Sequence, residues 1–296
     1  MSLKVGILMG GPSEERDVSI STGGAVSKAC VENGYLVTEF SFRNDYKKYL
    51  NEMDDHDIIF NALHGGIGEN GSVQAWMDEN GIKYTGSGSL ASSLCMDKAK
   101  SKEIAKSKGI DTPKWQLLTN PDYEIEIKCP FVVKPNDQGS TVGLSIVKNQ
   151  RSIKSAIRQA FKYGTEVIIE EYIDGKELTI PVIGNMPFPI VEIKPLHDLY
   201  DYECKYTPGM SEYECPAILE KSILNKIKSN TKILFENFGC SIYARADYIL
   251  DRSGVPYFLE MNTLPGMTST SLVPKSAKAN GLTFKQLIAK IIQLSL

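Results

Sequence analysis

The sequence predicts an α/β protein in which an amino-terminal domain with a parallel sheet precedes a two-lobed α+β region. Two observations indicate the parallel sheet: the apolar runs Lys4–Met9 and Asp57–Leu63 each end in glycines, and a helical pattern follows each. A third observation concerns the region that follows. Two short apolar runs flank a glycine-containing segment between residues 131 and 147, which predicts antiparallel pairing there.

The first ninety residues contain the amino-terminal elements. The patterns predict strands at Lys4–Met9, Tyr35–Phe42 and Asp57–Leu63, and helices at Val18–Asn33 and Ser72–Asn80. Glycine turns follow the first and third strands, at Gly10 and Gly65. Ligands of parallel sheets bind beyond the carboxyl ends of the strands, so both turns are expected to border a site.

A second unit begins near Cys95 and a third near Gly175. The second is predicted to contain the elements Met96–Lys108 (helix), Phe131–Lys134 and Leu144–Val147 (strands), Ile153–Tyr163 (helix) and Glu166–Glu171 (strand). The third is predicted to contain strands at Leu178–Ile183 and Phe188–Ile193, a polar loop at Pro195–Pro216, a helix at Leu219–Phe238, a hairpin at Tyr243–Asn262 and a closing amphipathic helix from Phe284. The predicted domains are therefore 1–94, 95–174 and 175–296.

Composition restricts the function classes. The chain has 296 residues, of which 42% are hydrophobic and 23% charged, as is usual for globular proteins. A net charge of -3 without a basic run argues against a nucleic-acid partner. The six cysteines form no C-x-x-C pair, which predicts a reduced, cytoplasmic environment without a zinc site. We see no signal-peptide pattern and no apolar stretch of about 18 residues, so no membrane association is expected.

The hairpin Tyr243–Asn262 carries the strongest chemical signal. A four-residue loop at Asp251–Gly254 would pair Leu250 with Val255 and give each strand two distinct faces. The polar face would carry Arg245, Asp247, Glu260 and Asn262; the apolar face would carry Ala244, Ala246, Tyr248, Leu250, Tyr257, Leu259 and Met261. Carboxylate and amide oxygens are ligands that magnesium accepts. The alternative is a solvated face with scattered salt bridges.

A glycine-bracketed loop follows Lys134 and contains Ser140 between Gly139 and Gly143. Glycine lets backbone N–H groups approach an anion, and the lysine would supply charge, so a polyphosphate site is one interpretation. The Walker A pattern is absent, and a flexible hairpin tip is the alternative. His64, at the end of the third strand, is likewise either a structural hydrogen-bonding residue or part of the site.

Taken together, these motifs resemble the ATP-grasp superfamily: Lys134 with its glycine loop, Glu170-Glu171-Tyr172-Ile173, and Asp247 with Glu260-x-Asn262. Further motifs, in family order, resemble the D-alanine–D-alanine ligase family: Gly10-Gly11-x-Ser13-x-Glu15-Arg16, Leu63-His64-Gly65, Tyr84-Thr85-Gly86-Ser87-Gly88, Met96-Asp97-Lys98, Lys205-Tyr206 and Asn262-Thr263-x-Pro265-Gly266-Met267-Thr268. The resemblance implies that the two lobes after the amino-terminal domain form an ATP-grasp fold.

The resemblance also implies an activity and a set of site residues. The activity is ATP-dependent joining of two D-alanine molecules through a D-alanyl phosphate, for peptidoglycan precursors, in a homodimer. Nucleotide contacts are implied for Lys98, Lys134, Ser140, Glu170, Glu171, Tyr172, Ile173, Glu177 and Lys205. Two magnesium ions, replaceable by manganese, are implied at Asp247, Glu260 and Asn262. Substrate contacts are implied for Glu15, His64, Arg245, Gly266 and Ser271, with Arg245 and the Gly266 N–H as oxyanion donors.

Closure of the site is implied for a hydrogen-bonded set of Glu15, Ser140 and Tyr206. Asn136-Asp137-Gln138 departs from the family's lid pattern. Depsipeptide-forming relatives often carry phenylalanine where this chain has Tyr206, so we expect a dipeptide ligase; a packing role for Tyr206 is the alternative. The competing functions are a ligase that makes a D-alanyl-D-lactate-type depsipeptide or uses another amino acid, and a nucleotide-binding regulatory module without turnover.

Overall fold

The computed structural model describes residues 2–121, 124–196, 207, 209–268 and 270–296. In these residues the strands are β1 (Lys4–Gly10), β2 (Leu36–Phe42), β3 (Ile58–Asn61), β4 (Trp115–Leu118), β5 (Phe131–Pro135), β6 (Ser145–Val147), β7 (Val167–Glu171), β8 (Gly175–Ile183), β9 (Met186–Pro187), β10 (Val191–Pro195), β11 (Ser211–Glu214), β12 (Tyr243–Asp251) and β13 (Pro256–Asn262). The α-helices are α1 (Arg16–Glu32), α2 (Leu50–Asp54), α3 (Ser72–Glu79), α4 (Ser89–Met96), α5 (Lys98–Ser107), α6 (Ile153–Ala160), α7 (Lys221–Asn237), α8 (Leu272–Ala279) and α9 (Phe284–Ser295). None of these helices combines the length and the apolar character that a membrane span requires.

The amino-terminal sheet is parallel, with strand order β2-β1-β3, as the strand–glycine–helix pattern predicts. Two of its strands, β1 and β3, lead into turns at Gly10 and Gly65 that favour glycine. Gly10 has a φ of +96°, and a Cβ there would lie 2.3 Å from the Phe42 carbonyl oxygen. Gly65 has φ 67° and ψ 166°, a region that side chains essentially exclude. Because β1 and β3 pair in parallel, both turns lie at the same edge of the sheet.

The carboxy-terminal helix α9 packs against α1 and β3 in the amino-terminal domain. Its buried face consists of Leu287, Ile288, Ile291 and Ile292, as the apolar periodicity predicts. These side chains share one core cluster with Val5 and Ile7 of β1. The two ends of the chain therefore stabilise one another through a single hydrophobic core.

The second sheet is antiparallel, with strand order β4-β7-β5-β6, and α6 packs on β5 and β6. The sequence patterns did not predict β4. The predicted helix Met96–Lys108 corresponds to α5, but the sequence patterns did not predict α4, which ends at Met96. The break between α4 and α5 falls at Asp97, whose backbone is extended (ψ 97°) and whose carboxylate caps α5 by accepting the Lys100 N–H.

The third sheet has strand order β11-β10-β8-β12-β13, with β9 beside β8. Alternate residues of β8 separate its two faces: Leu178, Ile180 and Val182 pack into the core around α7, whereas Thr179 points toward Asp247 on the opposite face. The predicted loop Pro195–Pro216 contains β11, so that prediction was wrong in part. Helix α8 was not predicted; its Pro274 is compatible with a first helical turn because no intrahelical N–H bond is required there.

The hairpin prediction was wrong in register and right about the polar face. Leu250 pairs with Pro256 instead of Val255, so the loop has an odd number of residues. A bulge beside Asp247 compensates, and Asp247 pairs with Glu260 while Arg245 pairs with Asn262. The apolar face changes as a result: Phe258 is fully buried, whereas Tyr257 and Leu259, predicted to be core residues, are only half-buried.

Candidate active site

Two cavities of about 430 Å³ each meet between the three sheets. The amino-terminal cavity is bordered by Glu15, His64 and the segment around Gly266. The central cavity lies between the second and third sheets and is bordered by Lys134 and by residues 170–173. The residues common to both cavities are Lys98, Gly139, Ser140, Arg245, Glu260 and Leu272. A ligand in one cavity would therefore be adjacent to a ligand in the other.

Glu15 closes one side of the amino-terminal cavity. It is 7% exposed and precedes α1, and its Oε1 accepts a hydrogen bond from the Ser140 hydroxyl. The absence of a side chain at Gly65 makes room for it, since a Cβ there would lie 2.7 Å from Glu15 Oε2. Ser140 (φ 49°) and Thr141 (φ 67°) hold a left-handed backbone that non-glycine residues rarely adopt. Two distant segments thus meet through the Ser140–Glu15 contact.

The loop that carries Ser140 is anchored by Asn136, one of the three residues expected to depart from the family's lid pattern. Asn136 is 2% exposed; its Oδ1 accepts the Ala99 N–H at 2.9 Å and its Nδ2 donates to Asp97 Oδ1 at 2.9 Å. The Gln138 carbonyl accepts a hydrogen bond from Lys98 Nζ at 2.6 Å. These hydrogen bonds fix the loop to the start of α5.

His64 is buried at the amino-terminal cavity with both ring nitrogens near polar partners. Nε2 lies 3.0 Å from the Thr22 hydroxyl, and Nδ1 lies 3.6 Å from Glu69 Oε1. These contacts match the structural alternative for His64, although the residue also borders the cavity. Its role as a substrate contact remains a prediction.

Ser271 and Gly266 lie at the opposite wall of the same cavity. Ser271 is the N-cap residue of α8, and its hydroxyl oxygen accepts the Thr268 N–H at 3.1 Å. A Cβ at Gly266 would lie 2.9 Å from Ser271 Oγ, so the glycine permits a close approach. The positive end of a helix dipole, with a hydroxyl beside it, suits a carboxylate ligand.

The central cavity is bordered by a buried group of charges. Lys134 Nζ lies 2.9 Å from Glu170 Oε2, and Lys102 Nζ lies 3.1 Å from Glu170 Oε1. Burial opposes ionisation of Glu170, but the two lysines outweigh it and hold the pKa of this carboxyl below its ordinary value. Burial lowers the pKa of Lys102 to about 8. Lys98, the third lysine here, lies 3.6 Å from Glu260 Oε2.

The polar hairpin face is a bonded cluster. The Arg245 guanidinium donates to both oxygens of Asp247, at 2.9 and 2.7 Å, and the Thr179 hydroxyl also donates to Asp247. The side-chain oxygen of Asn262 accepts the Leu264 N–H at 2.8 Å. In the described part of the chain no group of three or more His, Cys, Asp or Glu side chains is placed to hold a metal. The donor set at this face is instead two carboxylates and one amide oxygen, which suits a hard cation that keeps water or phosphate ligands.

The structure brings the predicted residues to the two cavities. Around the amino-terminal cavity lie Glu15, His64, Lys98, Ser140, Arg245, Glu260, Asn262, Gly266 and Ser271. Around the central cavity lie Lys98, Lys134, Ser140, Glu170, Glu171, Tyr172, Ile173, Glu177, Arg245, Asp247 and Glu260. Lys205 and Tyr206 lie outside the described residues. Sequence reasoning missed Lys102 and Thr179. Only Lys102 had a signal, its spacing of four residues from Lys98.

Comparisons with known proteins show which family this chain is similar to. Residues 104–293 match the family model described as D-ala D-ala ligase C-terminus. The chain is 43% identical to D-alanine–D-alanine ligase B of Clostridium perfringens, with 99% of this chain and 98% of the relative covered. The solved D-alanine–D-alanine ligase from Bacillus anthracis has a TM-score of 0.90 and 36% identity, with 99% of this chain and 97% of that chain covered. A structure of that enzyme complexed with ATP has a TM-score of 0.86 and 33% identity over the same shares.

These likenesses confirm the predicted fold class, an amino-terminal α/β domain followed by a two-lobed ATP-grasp fold. They extend over nearly the whole chain, beyond the part that the family model matches. The chain belongs to the D-alanine–D-alanine ligase family.

Proposed function

We propose that this protein joins two D-alanine molecules to D-alanyl-D-alanine at the expense of ATP, through a D-alanyl phosphate, as a step toward peptidoglycan precursors. The observation that carries the proposal is the wall shared by the two cavities, formed in part by Lys98, Ser140, Arg245 and Glu260. A phosphoryl group can pass between two ligands only if they are adjacent. The names of the relatives and the ATP complex of the Bacillus anthracis enzyme support the same assignment.

ATP would occupy the central cavity, with its adenine along residues 170–173 and its ribose at Glu177. The ammonium groups of Lys98 and Lys134 would contact its phosphates, and Lys205 the transferred phosphoryl group. Asp247, Glu260 and Asn262 would hold two magnesium ions, because their oxygens share one face of the hairpin beside this cavity. When bound, the ions would neutralise charge on the phosphates.

The first chemical step joins two anions and needs electrostatic help. The ammonium of the first D-alanine would face Glu15, and its carboxylate would attack the γ-phosphorus, releasing ADP. Two unit charges about 4 Å apart interact by about 4 kcal/mol at an effective dielectric constant of about 20. Lys98 and Arg245, which border both cavities, would offset this repulsion.

In the second step the amine of the second D-alanine attacks the acyl phosphate. The new C–N bond forms, the bond between the acyl carbon and the phosphate oxygen breaks, and inorganic phosphate leaves with the proton that the nitrogen loses. Arg245 and the Gly266 N–H would stabilise the oxyanion that develops. Ser271, at the start of α8, would hold the carboxylate of the second D-alanine.

The acyl phosphate hydrolyses if water reaches it, so closure of the site is part of the proposal. The Ser140–Glu15 hydrogen bond supports a role for the glycine loop as one half of the cover. The segment that contains Lys205 and Tyr206 would supply the other half. We further propose a cytoplasmic homodimer with domains 1–94, 95–174 and 175–296.

The decisive experiment measures ADP release with and without an amino acid. D-alanine should stimulate release, with ADP, phosphate and dipeptide formed in equal amounts. The same assay with D-serine, L-alanine and D-lactate tests the alternative that this protein uses another amino acid or forms a depsipeptide. ADP release that does not respond to any member of the panel would leave the regulatory module as the explanation.

A further inference from the structure

Lys102 is a completely buried lysine that is not among the residues lining either cavity. It follows Lys98 by four residues on α5, so both side chains leave the same face of the helix. The Lys98 side chain borders both cavities, whereas Lys102 lies one turn further into the protein. A lysine is rarely buried without partners, because its charge loses hydration. The position therefore requires acceptors for its ammonium.

Three acceptors surround the Lys102 ammonium. Nζ donates to the Thr112 hydroxyl at 2.9 Å and to the Phe258 carbonyl at 3.5 Å, and it lies 3.1 Å from Glu170 Oε1. Phe258 belongs to β13 and Glu170 to β7. Lys102 thus connects α5 to the second and third sheets on either side of the central cavity.

Glu170 lies between two ammonium groups with different surroundings. Lys134 Nζ, 2.9 Å from Glu170 Oε2, belongs to a side chain that borders the central cavity and can meet a ligand there. Lys102 is fully buried and lines neither cavity, so its ammonium contacts Glu170 and its other acceptors only. Glu170 is itself 2% exposed, so an unpaired charge on it would be strongly unfavourable.

We propose that Lys102 is a positioning residue for nucleotide binding, a permanent counter-ion of Glu170 that lets the Lys134 ammonium turn toward a phosphate of ATP. If Lys134 were the only cation beside Glu170, its movement to a phosphate would leave a buried carboxylate without compensation. The ion pair between Lys134 and Glu170 would then stay intact, and ATP would lose its contact with the Lys134 ammonium. This inference rests on the proposed location of ATP in the central cavity.

The test compares Lys102→Met, which removes the charge at similar volume, with Lys102→Arg, which keeps it. Lys106→Met is the matched control, because Lys106 is exposed one turn further along α5. Binding of ATP alone is measured by calorimetry, and KM is measured for ATP and for D-alanine. Lys102→Met should raise the Kd and KM for ATP by at least about tenfold, by analogy with the lower end of the loss seen when partners of metal ligands are replaced. The KM for D-alanine should stay near the wild-type value, and Lys102→Arg should recover most of the ATP affinity.

Three outcomes would overturn the proposal: wild-type ATP affinity in Lys102→Met, equal losses in the Met and Arg variants, or a parallel rise in the KM for D-alanine. If Lys102→Met does not fold, Lys102→Gln takes its place, because its amide can still donate to the Thr112 hydroxyl or the Phe258 carbonyl but carries no charge. The same rise in the Kd for ATP is expected of it, and a folded Lys102→Gln protein with wild-type ATP affinity contradicts the idea. Because ATP binding is measured without an amino acid, a wild-type chain that binds ATP but ligates no D-alanine would refute only the proposed function.

Discussion

Glu260→Gln tests the proposed metal site because it removes one negative charge and preserves the size of the side chain. Glu260 lies directly opposite Asp247 in the hairpin and 3.6 Å from Lys98 Nζ. Opposed like charges on neighbouring strands destabilise by about 0.2–1 kcal/mol. A pair with a partly exposed partner, as Glu260 is at 30%, contributes about 0–1 kcal/mol. The two effects oppose each other, so without magnesium we expect a stability change of less than about 1 kcal/mol.

Added magnesium should stabilise the wild type more than it stabilises Glu260→Gln. A cation at about 100 times its Kd stabilises the folded state by about 2.7 kcal/mol. If loss of the carboxylate weakens binding about 100-fold, the same concentration contributes only about 0.4 kcal/mol. For a chain of 296 residues about 1.6 °C of melting temperature corresponds to 1 kcal/mol, so the two shifts should differ by roughly 4 °C.

The assay is thermal unfolding over a magnesium titration with ADP present, together with the magnesium dependence of turnover. Glu103→Gln is the matched control, since it makes the same charge change at an exposed position on α5. Magnesium should raise the melting temperature and the turnover of Glu103→Gln as it does for the wild type. A Glu260→Gln protein with a wild-type magnesium shift and near-normal turnover would refute the assignment of Glu260 as a ligand.

The remaining predictions concern the implied hydrogen-bonded set of Glu15, Ser140 and Tyr206, the Gly65 turn and the buried Lys102. Tyr206→Phe should weaken dipeptide synthesis and allow detectable depsipeptide with D-lactate, most clearly at low pH where the competing amine is protonated; a wild-type protein that prefers D-lactate at neutral pH would contradict the Tyr206 argument. Gly65→Ala should cost about 1–3 kcal/mol in urea unfolding and raise the KM for D-alanine by displacing Glu15, whereas Gly34→Ala, with open space around its Cβ position, should leave that KM unchanged. Lys102 should make the free energy of unfolding rise with pH between about 8 and 10.5, because in that range the unfolded chain binds more protons at this group than the folded chain. That rise should be absent in Lys102→Met, and equal pH dependence in the two proteins would disprove it.

The local patterns that the sequence determined concern single elements and short motifs. Each strand–glycine–helix step places its turn at a carboxyl strand end, because strand, turn and helix preferences act over a few residues. This is why the positions of Gly10 and Gly65 and the buried face of α9 could be predicted. Alternation along a strand likewise predicted the common face of Arg245 and Asp247.

Contacts between distant segments could be decided only by the tertiary structure. The bulge beside Asp247 corrects an odd loop that the sequence did not reveal, because register depends on how β13 packs against its neighbours. Helix α9 joins the core of β1 from the other end of the chain. The Lys102–Glu170–Lys134 group assembles from three elements whose residues are far apart in sequence. Spacing and propensity describe neighbours along the chain. A buried charge is stable only when partners from distant parts of the chain pair with it, and only the folded structure brings those partners together.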